Sequence, residues 1–114
     1  MSSAALHREP AAYVETADAA AIRVRAMRGE HDAALRTLGF AATGEAGVYA
    51  MAVRDDAEKA EAFHALRELG LAFAAGREWC PAEVFGYLRD KGLLSGPFLR
   101  IAWTQPGRYR LQEA

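Results

Sequence analysis

The sequence of 114 residues contains no asparagine, only one cysteine, and no apolar run that approaches the length of a membrane span. Crossing a bilayer requires ~18–20 consecutive apolar residues, which excludes a transmembrane protein. The single cysteine, Cys80, cannot form an internal disulfide, and residues 1–10 lack the basic start and apolar stretch of a signal peptide. We therefore expect a protein of the reducing cytoplasm.

Large apolar side chains and lysine are also scarce. Alanine supplies 26 of the 59 hydrophobic residues, and arginine outnumbers lysine by 12 to 2. Both biases are typical of a bacterial coding sequence rich in G and C, so most arginines are expected to be ordinary solvated residues. The net charge of −1 argues against a protein whose main task is to neutralise phosphates, although residues 76–112 alone carry a charge of +3.

Apolar periodicity predicts one α+β domain over residues 19–114, preceded by a mobile N-terminal tail, residues 1–18, which has no sustained period. The first part of the domain, residues 19–76, follows the order β-α-β-β-α-β. Its elements are expected at 20–27, 30–38, 40–43, 48–53, 55–69 and 71–75. This order is typical of the ferredoxin-like fold, in which an antiparallel sheet carries two helices on one face. At the start of the second helix, Asp55 and Glu58 have the spacing of a capping box.

Residues 77–114 form a C-terminal unit, a helix from Pro81 to about Lys91 followed by a β-hairpin. Apolar residues alternate along both hairpin strands, and the two sets share one face only if Trp103 lies opposite Tyr109. We therefore predict that register, with a bulge or a loop of odd length. The unit is expected to pack onto the preceding core and to bury Val84, Phe85, Leu88, Ile101, Trp103, Tyr109 and Leu111.

Cys80 is the best candidate for a catalytic residue, because it directly precedes a predicted helix whose N-terminal dipole would favour a thiolate. Catalysis would also require His31 or His64 beside it. The alternative is that Cys80 fills a small apolar corner next to a tryptophan and a proline. The sequence has no spacing typical of metal ligands and no glycine-rich phosphate-binding motif, so we predict neither a metal nor a cofactor. An enzyme is the least favoured function.

The first functional hypothesis is a small, non-catalytic bacterial interaction or regulatory domain that binds a protein partner or a second copy of itself. Large aromatic residues dominate the energetics of interfaces, and the C-terminal unit holds four candidate anchors. They are Trp79, Tyr87, Trp103 and Tyr109. The alternative for all four is a place in the core.

The second hypothesis is nucleic-acid binding through basic residues of the C-terminal helix and hairpin. These residues are Arg89, Lys91, Arg100, Arg108 and Arg110. The hypothesis requires that they form one continuous positive patch on the solvent-exposed side of the hairpin.

Overall fold

The computed structural model describes residues 12–17, 20–74, 79–105 and 108–113, without the side chains of residues 102–112. The chain has an α+β fold in which all seven strands belong to one mixed sheet. The strands are β1 (Ala12–Thr16), β2 (Ala21–Ala26), β3 (Ala41–Ala42), β4 (Val48–Ala52), β5 (Ala72–Ala74), β6 (Leu99–Gln105) and β7 (Arg108–Glu113). The α-helices are α1 (Asp32–Leu38), α2 (Asp56–Glu68) and α3 (Pro81–Asp90). No helix of the described part of the chain is long and apolar enough to cross a membrane.

The predicted cap of α2 is present in the structure. The Asp55 side chain accepts a hydrogen bond from the backbone N–H of Glu58 at 2.8 Å. The Glu58 carboxylate reaches back to the N–H of Arg54 at 2.8 Å, one residue before the position that a capping box normally uses. The bond to Asp55 satisfies an N–H group that a helix start leaves without a partner, and the bond to Arg54 holds the residue before the cap against the first turn.

The segment Ala12–Thr16, which the sequence predicts to be part of a tail, forms an interior strand of the sheet. Val14 of β1 lies opposite Val24 of antiparallel β2 and opposite Phe73 of parallel β5. Ala12 and Val14 are completely buried. The segment is short and holds only two large apolar residues, too few to show a period. Residues 1–11 and 18 of the predicted tail lie outside the described residues.

The position of β1 changes the predicted sheet. The order β-α-β-β-α-β occurs along the chain from β2 to β5, as predicted. In a ferredoxin-like sheet the first and last strands of this series are neighbours, whereas here β1 lies between them, in the order β3-β4-β2-β1-β5-β6-β7. The sheet is also mixed, because β5 runs parallel to both β1 and β6. The strand order is therefore not that of a plain ferredoxin-like fold.

The C-terminal unit completes the core on the face of the sheet that the helices cover. Phe85 of α3 contacts Phe63 of α2 and Phe73 of β5, with ring centroids 5.2 and 5.0 Å apart, and stacks on Phe98 at 4.1 Å. The burial predicted for Phe85, Leu88 and Ile101 is confirmed, and Val84 is half-buried. The side chains of Trp103, Tyr109 and Leu111 lie outside the described part of the structure.

The final hairpin extends the sheet beyond β5 and has the predicted register. Trp103 pairs with Tyr109, Ile101 pairs with Leu111, and the ladder is irregular between Trp103 and Gln105. An irregularity at this place is what the prediction required, because a plain two-residue turn would have paired Trp103 with Arg110.

The opposite face of the sheet is part apolar and part ionic. Ala72, Ala74 and Ile101 form a small buried cluster there. Beside it, the Arg25 guanidinium bridges two carboxylates, with Nε 2.8 Å from Glu15 and Nη2 2.7 Å from Glu45. The hydrogen bond from Arg25 holds the pKa of Glu45 below its usual range. This arginine thereby ties β1 to β2 and to the turn before β4.

We expect Val14→Ala to lower the free energy of unfolding by about 2 kcal/mol, because it removes two buried methyl groups and leaves a cavity between β2 and β5. Urea unfolding measures this loss, and Arg54→Ala, at a side chain 87% exposed, is the control. An unchanged midpoint for Val14→Ala would show that the segment does not belong to the sheet.

We expect a chain ending at Gly76 to be unfolded or aggregated. It would lack Phe85, Leu88 and Phe98, each of which stabilises the fold by about 1.5–3 kcal/mol through burial, against a net stability of ~5–15 kcal/mol for a typical domain. Circular dichroism and gel filtration test this. A monomeric truncated chain with native helix content would contradict the single shared core.

Candidate functional site

A groove of about 580 Å³ lies between α2 and the connection that leads from α3 to β6. We call it the basic groove. Its lining includes Glu61, His64 and Arg67 of α2, Arg89 of α3, and Leu93 and Ser95 of the connection. Binding sites for small molecules and peptide side chains commonly have volumes of about 300–1,000 Å³, so the groove is large enough to hold a ligand.

The end of α3 sets the shape of one wall. Gly92 has a positive φ of 73°, which ends the helix and lets the N–H of Leu93 donate to the carbonyl of Leu88 at 3.0 Å. The chain then places two consecutive leucines in different environments. Leu94 is buried in the core, whereas Leu93 is 40% exposed and lines the groove.

Arg67 fixes the connection against α2. Its Nη1 donates hydrogen bonds to the carbonyls of Ser95 at 2.6 Å and Pro97 at 3.2 Å. Gly96 between them has a φ of 91°, which favours glycine, and a Cβ there would lie 3.2 Å from Arg67 Nη1, so a larger residue would be strained and would displace Arg67. Arg89 adds a third bond, from Nη2 to the carbonyl of Gly96 at 3.3 Å.

These two arginines differ electrostatically from most other cations of the described chain. Carboxylate partners within 4 Å neutralise five other cations, namely Arg23, Arg25, Arg28, Arg54 and Lys91. The described partners of Arg67 and Arg89 are neutral: backbone carbonyls for both, and the His64 Nδ1 atom 3.3 Å from Arg67 Nη2. Glu61 is the one acidic side chain in the lining. The lining therefore carries two arginines against one glutamate, and neither arginine has a carboxylate within 4 Å among the described residues.

The predicted aromatic anchors are divided between the core and the surface. Trp79 is 5% exposed, and its indole N–H donates to the carbonyl of Glu15 at 2.7 Å. Because the only polar group of the ring is satisfied inside, the residue is stable in the core and presents no surface to a partner. Tyr87 is 49% exposed, outside the basic groove. The side chains of Trp103 and Tyr109 lie outside the described residues.

The basic residues of the nucleic-acid hypothesis are also in different environments. Arg89 lines the groove, and Lys91 pairs with Asp56 at 3.3 Å. Arg100 is half-buried and lies opposite Phe73 in the ladder, on the face that the helices cover, because partners in a ladder share a face. The sequence predicts this arginine on the exposed side, and the register of β6 against β5 places it on the other side. The side chains of Arg108 and Arg110 are outside the described part.

Cys80 is half-buried at the start of α3, and its side chain makes no capping hydrogen bond. In the described structure, His31 contacts Glu30 and His64 contacts Arg67, so neither histidine is paired with the thiol. Among the described residues, no group of three or more histidine, cysteine, aspartate or glutamate side chains could hold a metal ion. The geometry of these residues provides no support for nucleophilic catalysis.

Arg67 is a central groove residue that the sequence does not single out. The spacing of three between His64 and Arg67 places them on neighbouring positions of one helix face, which is visible in the sequence. The partners of Arg67 are carbonyl groups of residues 95 and 97, and any residue type supplies a carbonyl. No sequence pattern could therefore have identified the contact.

The surface cluster formed by Tyr87, Asp56 and Lys91 should make stability depend on pH. The Tyr87 hydroxyl donates to Asp56 Oδ2 at 2.7 Å, and this bond, with help from Lys91, holds the pKa of Asp56 below its ordinary value of 3.8. A carboxylate with a lowered folded pKa stabilises the fold above its unfolded pKa, and this contribution is lost as the pH falls through the folded value. We expect Tyr87→Phe to lower the melting temperature at neutral pH, with a difference from the wild type that shrinks below pH 3.8.

Thermal scans of both proteins across this range measure the difference. The same substitution in an Asp56→Asn background serves as the control and should cost less at neutral pH. If the difference in melting temperature between wild type and Tyr87→Phe stays constant as the pH is lowered, the Tyr87 hydroxyl does not act through the Asp56 carboxylate.

Comparison of the chain with protein-family models, with curated proteins and with solved structures finds no match.

Proposed function

We propose that this chain is a small, non-catalytic interaction domain that binds a protein partner through the basic groove. The observation that carries the proposal is the pair Arg67 and Arg89, whose charges have no carboxylate partner within the described chain, next to the exposed side chain of Leu93. Protein interfaces are enriched in arginine and combine an apolar centre with charged groups. The groove offers both kinds of surface within one cavity.

A regulatory role and self-association extend the same proposal. Self-association would require acidic side chains of a second copy to contact the groove. Binding of a second copy and binding of another acidic protein would both depend on Arg89. The reducing cytoplasm remains the compartment that the sequence predicts.

Nucleic-acid binding is the second hypothesis, and it shares Arg89 with the first. Its other described members support it less, because Lys91 is paired with Asp56 and Arg100 is half-buried. An enzyme using Cys80 stays the third, since the described contacts bring no histidine to the thiol.

Charge reversal at Arg89 tests the proposal. We expect the immobilised wild-type chain to retain a protein from a nuclease-treated lysate of its own organism, and Arg89→Glu to lose that protein. Arg36→Glu is the matched control, because Arg36 is an exposed arginine of α1 outside the groove and the change in net charge is the same. Light scattering over a concentration series tests self-association of the same three proteins.

Equal retention by wild type and Arg89→Glu, with all three proteins monomeric, would contradict the proposal. Retention from an untreated lysate, but not from the nuclease-treated one, would contradict the proposal and support the nucleic-acid hypothesis instead. Circular dichroism of Arg89→Glu shows whether the variant is folded, as we expect, because Arg89 is exposed and its one described hydrogen bond is 3.3 Å long.

A further inference from the structure

We propose that the basic groove recognises a segment of a partner protein in which an aspartate or glutamate stands next to a leucine-sized apolar residue. This inference rests on the proposed function and specifies its ligand. Three features of the groove support it. The guanidinium groups have unused hydrogen-bond donors, the charges differ along α2, and an apolar surface lies beside them.

Where Arg67 and Arg89 lie, the groove offers guanidinium N–H donors to a ligand. The carbonyls of Ser95, Gly96 and Pro97 each accept one bond from an arginine, so part of their acceptor capacity is already used. Arg89 uses one of the five N–H donors of a guanidinium in the described hydrogen bonds. A planar guanidinium with free donors binds a carboxylate through two parallel hydrogen bonds, which favours an anionic ligand.

The guanidinium of Arg67 is already held in place, so little side-chain entropy is lost when a ligand binds beside it. Its Nη1 is fixed by the two carbonyls, and its Cζ lies 5.9 Å from the centre of the Phe85 ring. Ordering a long free side chain at an interface costs roughly 0.5–1.5 kcal/mol, and this arginine is ordered before the ligand arrives. The Arg67 guanidinium is therefore preorganised to bind an anion.

The two ends of the groove differ in charge. Glu61 precedes Arg67 by six residues, which corresponds to about 9 Å along the axis of α2. A carboxylate of the ligand is attracted to the Arg67 and Arg89 end and repelled from the Glu61 end. A small inorganic anion would contact only Arg67 and Arg89. A peptide can place its acidic group beside these arginines and extend the rest of its chain along the groove.

Apart from His64 and Ser95, the remaining lining is apolar and small. Leu93 is 40% exposed, and Ala57 and Ala60 of α2 contribute only methyl groups. Gly92 leaves open space, because a Cβ at this position would meet no atom within 4 Å. Burying an apolar side chain of leucine size against this surface removes it from water and stabilises the complex. The acidic residue of the ligand should therefore have an apolar neighbour.

Selection from a library of displayed random peptides tests the inference. The library holds peptides of about ten residues, which span ~33 Å when extended. The intact chain is the target, and binders are collected at low salt. We expect enrichment of sequences with Asp or Glu beside Leu, Ile or Phe, and release of the binders at high salt, because the charges are near the surface and are screened.

One enriched peptide, labelled with fluorescein, is then measured by anisotropy. We expect Arg89→Ala to weaken its binding about tenfold or more, as loss of a charge-assisted bond would. Leu93→Ala should weaken it by a smaller factor, and Arg36→Ala should leave it unchanged. Replacing the acidic residues of the peptide by their amides should abolish the binding.

Several results would overturn the inference: enrichment of basic or purely apolar peptides, no enrichment, binding that Arg89→Ala does not change, or equal competition by a random-sequence DNA duplex. The proposed function is judged separately by the retention experiment. Retention of a protein that depends on Arg89, together with selected peptides lacking Asp and Glu, would overturn the ligand chemistry alone.

Discussion

The backbone pairing of β1 with β2 on one side and with β5 on the other is the constraint on which the rest of the structure depends. β2 and β5 are not neighbours, so β1 is the strand that joins the β3-β4-β2 half of the sheet to the β5-β6-β7 half. Seven strands at a spacing of about 4.8 Å make a sheet ~29 Å wide. Helices pack about 8–10 Å apart, so three of them are needed to cover one face. This explains why α3 is part of the core.

The local features of the fold were predictable from the sequence, whereas the position of β1 was not. The cap at Asp55 and the register of Trp103 against Tyr109 depend on residues close together in the chain. β1 holds only Tyr13 and Val14 as large apolar residues, and it is buried by strands that follow it by about ten and about sixty residues. A short segment rich in alanine shows no period, so only the tertiary structure identifies it as a strand.

The candidate site was only partly predictable for the same reason. Arg89 was among the basic residues that the sequence singles out, but Arg67 of α2, which lies beside it in the groove, was not. The groove exists because Arg67 binds the carbonyls of a connection about 30 residues later in the chain. Trp79 was singled out by the sequence as an interface anchor, but it lies in the core. A large aromatic residue near a helix fits an interface and a core equally well, and the hydrogen bond to Glu15 decides for the core.

The most direct test of this account is hydrogen–deuterium exchange of the β1 amides. If β1 joins the two halves of the sheet, its paired amides exchange only when the whole domain unfolds, and they are protected as strongly as those of β2 and β5. Exchange of the β1 amides as fast as that of the exposed turn between β3 and β4 would contradict the account, because a strand that opens independently cannot hold the sheet together.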